Sequence, residues 1–133
     1  MAREKILIID DEQDLVKLVK EILELENFQV SSAYDGEEGL RKANSEIPDL
    51  ILLDIKMPVI NGFQVLERLK MDKTTSQIPV VMLTTSVLRR DRDKAFDLGA
   101  VDYVVKSLEG FELGERIRKI LKGRFKYDGN TGG

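Results

Sequence analysis

Residues 7–14 read LIIDDEQD, an apolar run that stops abruptly at three consecutive acids, Asp10, Asp11 and Glu12. With Ile6 in front of it, the apolar part has the composition of a buried strand. Acids crowded at the mouth of such a strand repel one another. At ~4 Å and an effective dielectric of ~20, each like-charged contact costs roughly 4 kcal/mol. Something in the fold or in a bound partner must offset that cost.

Working outward, the run at 5–9 has three counterparts, at 50–53, 80–83 and 101–105. All are short, rich in Ile, Leu and Val, and continuous rather than alternating, which is the pattern of strands buried on both faces of a parallel sheet. A fifth run, 28–33, mixes apolar and polar residues and suits an exposed edge strand. Between the runs lie helical stripes. Leu15, Leu18, Val19, Ile22 and Leu23 form one, with Asp14 as its expected N-cap. Val65, Leu66 and Leu69 form another. Ala95, Phe96 and Leu98 form a third that stops at Gly99, and Ile117, Ile120 and Leu121 form the last. The helix expected at 37–44 is the shortest. Strand and helix thus alternate five times, and right-handed crossovers then predict an α/β fold: one doubly wound, five-stranded parallel sheet with helices on both faces.

Composition narrows the chemistry. The chain has 133 residues with 42% hydrophobic and 34% charged, the balance of a single globular domain. Its net charge of −3 gives no bulk attraction to nucleic acid. There is no cysteine and no histidine, so disulfides, thiolate metal sites and imidazole catalysis are excluded. No apolar stretch is long enough for a membrane span or signal peptide, and the expected location is cytoplasmic.

In an open α/β sheet, ligands bind beyond the carboxyl ends of the strands. Here those ends carry Asp10 and Asp11, then Asp54, then Thr84 and Thr85, then Lys106. Singly, each has an ordinary reading as a cap, a loop acid or a surface lysine. Together they place carboxylates, a hydroxyl and an ammonium on one edge. Clustered carboxylates without histidine or cysteine suit a hard divalent cation, and Mg2+ takes one or two carboxylates plus waters and phosphate oxygens. Such an ion would offset the repulsion at Asp10 and Asp11. The same edge can accept a phosphoryl group, with Lys106 neutralising its oxygens, Thr84 donating a hydrogen bond and Asp54 acting as nucleophile.

The segments IIDDE, DLILLDIKMPVINGFQVL, IPVVMLTTS and GAVDYVVKS together resemble the receiver domain of bacterial two-component response regulators, over residues 5–122. The resemblance implies a flavodoxin-like sheet in the order 2-1-3-4-5, with residues 1–123 as the receiver domain and 124–133 as a disordered tail. It implies Asp54 as phosphoacceptor, Mg2+ (or Mn2+ in its place) on Asp11, Asp54 and the Lys56 carbonyl, and help from Asp10 through a water. Thr84 and Lys106 would bind phosphoryl oxygens, Thr84 and Tyr103 would form the switch, and Lys56 and Ser86 would tune the phosphoryl lifetime. The implied partners are a sensor histidine kinase or phosphotransfer protein and a downstream target or output domain. A weak homodimer through the fourth helix, fifth strand and fifth helix is also implied, with no direct nucleic-acid or membrane contact. Such a domain is not an enzyme beyond catalysing its own phosphorylation and dephosphorylation.

One departure stands out. Ser107 follows Lys106 where the family has proline, and a non-proline cis bond costs ~3 kcal/mol, so the Lys106–Ser107 peptide is either trans or strained. Leu108 replaces an aromatic, and Gly110 and Gly114 weaken the last helix. A pseudo-receiver, a binding module no longer controlled by phosphorylation, is the alternative reading. An FMN carrier on the same fold is excluded because the DDEQD loop would repel a flavin phosphate. An Asp-x-Asp phosphatase is excluded because Ile55 and Lys56 follow Asp54.

Overall fold

The computed structural model describes residues 3–106 and 110–129. Five strands alternate with five helices: β1 (Lys5–Ile9), α1 (Gln13–Leu25), β2 (Gln29–Ala33), α2 (Gly36–Glu46), β3 (Leu50–Leu53), α3 (Gly62–Met71), β4 (Val80–Thr84), α4 (Arg89–Asp97), β5 (Asp102–Val105) and α5 (Gly110–Gly129). All strand pairs are parallel, and the sheet order is β2-β1-β3-β4-β5. The continuous apolar runs are explained by two cores. Leu7, Ile9, Ile51, Leu53, Val80 and Met82 face Val65, Leu66 and Ala95, on α3 and α4. Their neighbours Ile6, Ile8, Leu50, Leu52, Val81 and Leu83 face Val16, Val19 and Leu23 of α1 and Leu113, Ile117 and Leu121 of α5. Alternate residues of a strand point to opposite faces, so a strand between two helical layers is apolar at every position.

One expectation about a helix end needs correction. Helix α1 begins at Gln13 with Glu12 at its cap position, so Asp14 lies in the first turn, where its charge still favours the helix dipole. Helix α5 runs to Gly129, six residues past the domain boundary expected at residue 123. Residues 124–128, RFKYD, hold no proline or glycine, so no strong breaker stops the helix there. The question of the Lys106–Ser107 peptide lies outside the described residues, as do residues 130–133 of the expected tail.

Candidate functional site

The register builds the site. Ile9 of β1 sits opposite Leu53 of β3, so Asp10 and Asp54 are the next residues on adjacent strands. Backbone bonds carry the pairing one step further, from Asp10 N–H to Ala33 O at 3.0 Å and from Asp54 N–H to Ile9 O at 3.0 Å. At the other side, Lys106 N–H donates to Thr84 O at 2.9 Å. The loop after Asp54 folds back through Gly62, whose N–H donates to Ile55 O at 2.7 Å. A Cβ on Gly62 would lie 2.1 Å from the Asp54 carbonyl oxygen, so glycine is required where α3 begins.

Lys106 is the centre of charge. Its Nζ lies 2.6 Å from Glu12 Oε1, 2.9 Å from Asp10 Oδ2 and 3.1 Å from Asp54 Oδ2. Asp10 and Asp54 are buried, at 1% and 4% exposure. The Glu12 side chain is 58% exposed and reaches inward to the ammonium. Burial alone would lower the Lys106 pKa, but the carboxylates of Glu12, Asp10 and Asp54 outweigh it and hold it above its ordinary value. For Asp10 burial dominates. It pushes the carboxyl from 3.8 up to about 6, helped by the charge of Asp54 and opposed by the Glu12 N–H and by Lys106.

The repulsion posed by the acidic run is therefore offset in part within the chain itself. One ammonium faces three carboxylates, and the offset is incomplete. Oxygens of Asp10, Glu12 and Asp54 all lie within 4.8 Å of one another. Asp10 Oδ1 accepts the Glu12 N–H at 2.9 Å. Asp10 Oδ2 is buried and close to Lys106 but lies off the hydrogen-bonding direction, so it has no aligned hydrogen bond. A buried carboxylate oxygen held by an ion pair alone, with other carboxylate oxygens beside it, fits a divalent cation.

The remaining expected residues divide. Asp11 is exposed beside this group but outside it, and Lys56 is exposed on the following loop. Thr84 is fully buried, and its Oγ1 accepts the Ser86 N–H at 3.3 Å. Tyr103 is packed in the core, with its hydroxyl donating to Ser86 O at 2.9 Å. Burial raises the Tyr103 phenol above its ordinary value. Ser86 is buried and donates to Asp91 Oδ2 at 2.6 Å. Two contacts were missed from sequence: Glu12 on Lys106, which spans 94 positions, and Asp91 on Ser86. Only the unbroken acidic run DDE hinted at the first.

Comparison with known proteins converges on one family. The family described as "Response regulator receiver domain" matches residues 6–118. Among curated relatives, "Response regulator ArlR" of Staphylococcus saprophyticus is 42% identical over 118 residues, covering 89% of this chain and 52% of that protein. "Transcriptional regulatory protein CpxR" of Escherichia coli is 45% identical over 118 residues, covering 89% and 49%. The chain thus spans about half the length of these relatives. A crystal structure of a CheY-like response regulator receiver domain protein from Methanospirillum hungatei superposes with a TM-score of 0.87 at 31% identity, covering 93% of this chain and 98% of that one. The chemotaxis protein CheY4 of Vibrio cholerae superposes with a TM-score of 0.84 at 29% identity, covering 89% and 98%.

Proposed function

The chain belongs to the response regulator receiver domain family of two-component signalling, and on that premise we propose that it is a phosphorylation-dependent switch with Asp54 as its phosphoacceptor. The observation that carries this reading is the Lys106 ammonium, held 3.1 Å from a buried Asp54 carboxylate at the carboxyl ends of the central strands. Asp54 Oδ attacks the phosphorus of a phosphohistidine or small phosphodonor, forming an acyl phosphate as the donor's bond to phosphorus breaks. Lys106 stays protonated across the working range, as its raised pKa requires, and pairs with a phosphoryl oxygen. Thr84 supplies a hydroxyl to another.

The donor set suits Mg2+, which Asp11, Asp54 and the Lys56 carbonyl would hold with Asp10 helping through a water; when bound it would supply charge neutralisation for the transferring phosphoryl group. Glu12 is engaged by Lys106. Lys56 and Ser86 flank the path of the hydrolytic water and set the lifetime, and α4, β5 and α5 form the output face and a weak homodimer contact. The donor is a histidine kinase or phosphotransfer protein, and the reader is a target protein or output domain. The working place is the cytoplasm; among the described residues no helix is long and apolar enough to cross a membrane.

The test is label incorporation from acetyl phosphate with Mg2+. Wild type should take up hydroxylamine-labile phosphate and Asp54→Asn should not. Equal labelling of the two would refute the assignment, and no labelling of either would favour the pseudo-receiver.

A further inference from the structure

Helix α4 is the least anchored helix of the site. Of its nine residues only Ala95 is buried, and its cap residue Leu88 makes no side-chain cap hydrogen bond. A short helix with so little packing depends on whatever holds its first turn. That hold is Ser86. Its hydroxyl accepts the Leu88 N–H at 3.3 Å and donates to Asp91 Oδ2 at 2.6 Å. It therefore holds the N–H of the cap residue from two positions upstream and donates a hydrogen bond to the acid in the first turn. The same residue donates its N–H to Thr84 Oγ1 at 3.3 Å and accepts the Tyr103 hydroxyl at 2.9 Å. Four hydrogen bonds meet on one residue that is 7% exposed.

We infer that Asp91 is a positioning residue which, through Ser86, ties α4 to Thr84 and Tyr103, so that a change at the phosphoryl site is passed to the helix. This rests on the proposed role of Asp54 and assigns the site a relay residue of its own. The physical argument is continuity. Ser86 cannot follow a rotation of the Thr84 hydroxyl without pulling on every group bonded to it, and the Asp91 carboxylate is the one of these groups that belongs to α4. An ordinary helix cap would alter the stability of α4 but not its response to the site.

Beryllofluoride with Mg2+ serves as the phosphoryl mimic, read out by amide signals of the whole chain. Wild type should respond both around Asp54 and along residues 89–97. In Asp91→Ala the response at Asp54 and Thr84 should persist while that of α4 falls about fivefold, the factor supplied by one net hydrogen bond. Asp91→Asn, whose carboxamide oxygen still accepts from Ser86, should restore most of it. Ser86→Ala should give the same loss, and joining it to Asp91→Ala should add nothing. Should Asp91→Ala fail to fold, Ser86→Ala carries the test. A full α4 response in either alanine variant, no rescue by asparagine, or additive losses would overturn the inference. No response at Asp54 in wild type would overturn the phosphoacceptor reading beneath it.

Discussion

Individual residues show where the chain is under strain and where it is not. Val59, five positions after Asp54, has φ +70° and is 94% exposed. A β-branched residue in the left-handed region pays roughly 1–2 kcal/mol, and here no buried contact compensates. Val59→Asn should therefore stabilise the fold by about 1 kcal/mol in chemical denaturation; an unchanged or lower midpoint would contradict this. Tyr103 makes a second prediction. Its phenol ionises near 10 when unfolded and higher when folded, because burial and its place in the core favour the neutral form. Its contribution to stability is whole below pH 10 and fades as pH rises through the folded value. The stability of wild type relative to Tyr103→Phe should thus decline on the alkaline side and stay level below. Asp54, Thr84 and Lys106 were legible as residues because each ends an apolar run. Glu12 was not, since nothing local distinguishes an acid that reaches Lys106 from one that faces solvent.

Among the elements, the strands were the most readable, and α2, expected at 37–44 and found at Gly36–Glu46, carried the faintest signal. Runs such as LILL declare themselves because both faces are buried. Helix α2 buries Gly36, Gly39 and Ala43, so it has no stripe of large apolar residues to read. It lies so close to the sheet that a Cβ on Gly39 would come within 2.6 Å of Ile9 Cδ1. The limits of α3 follow from its capping box, in which Asn61 and Gln64 exchange hydrogen bonds of 2.8 and 3.0 Å. Asn61→Ala should cost about 1 kcal/mol. Gly62→Ala should cost more, at least about 2 kcal/mol, because its Cβ meets backbone rather than a movable side chain. It should also slow labelling of Asp54, whose carbonyl it displaces. Labelling at the wild-type rate would show that the close approach of α3 to β3 does not set the site.

For the molecule as a whole, the strand order decides what the site can do. Placing β1 between β2 and β3 brings Asp10 beside Asp54, and placing β4 and β5 beyond them brings Thr84 and Lys106 to the same edge. That convergence was legible, since alternation of strands and helices admits few topologies. The balance of charge was not, because it depends on side-chain reach across the sheet edge. With one ammonium against three carboxylates, Mg2+ should raise the melting temperature, by as much as about 2.7 kcal/mol of stability at a hundredfold excess over its dissociation constant. Asp11→Asn should shrink that increment and Glu12→Gln should preserve it; the reverse would move the ion onto Glu12. The central claim is more direct than any of these, namely that Asp54 carries the phosphoryl group. Its sharpest measurement is borohydride reduction of the phosphorylated chain followed by peptide mass spectrometry. An acyl phosphate on Asp54 is reduced to homoserine at that position alone. Homoserine at position 54 is the result predicted here, and homoserine at position 10 or 11, or nowhere in a chain that has taken up label, would contradict it.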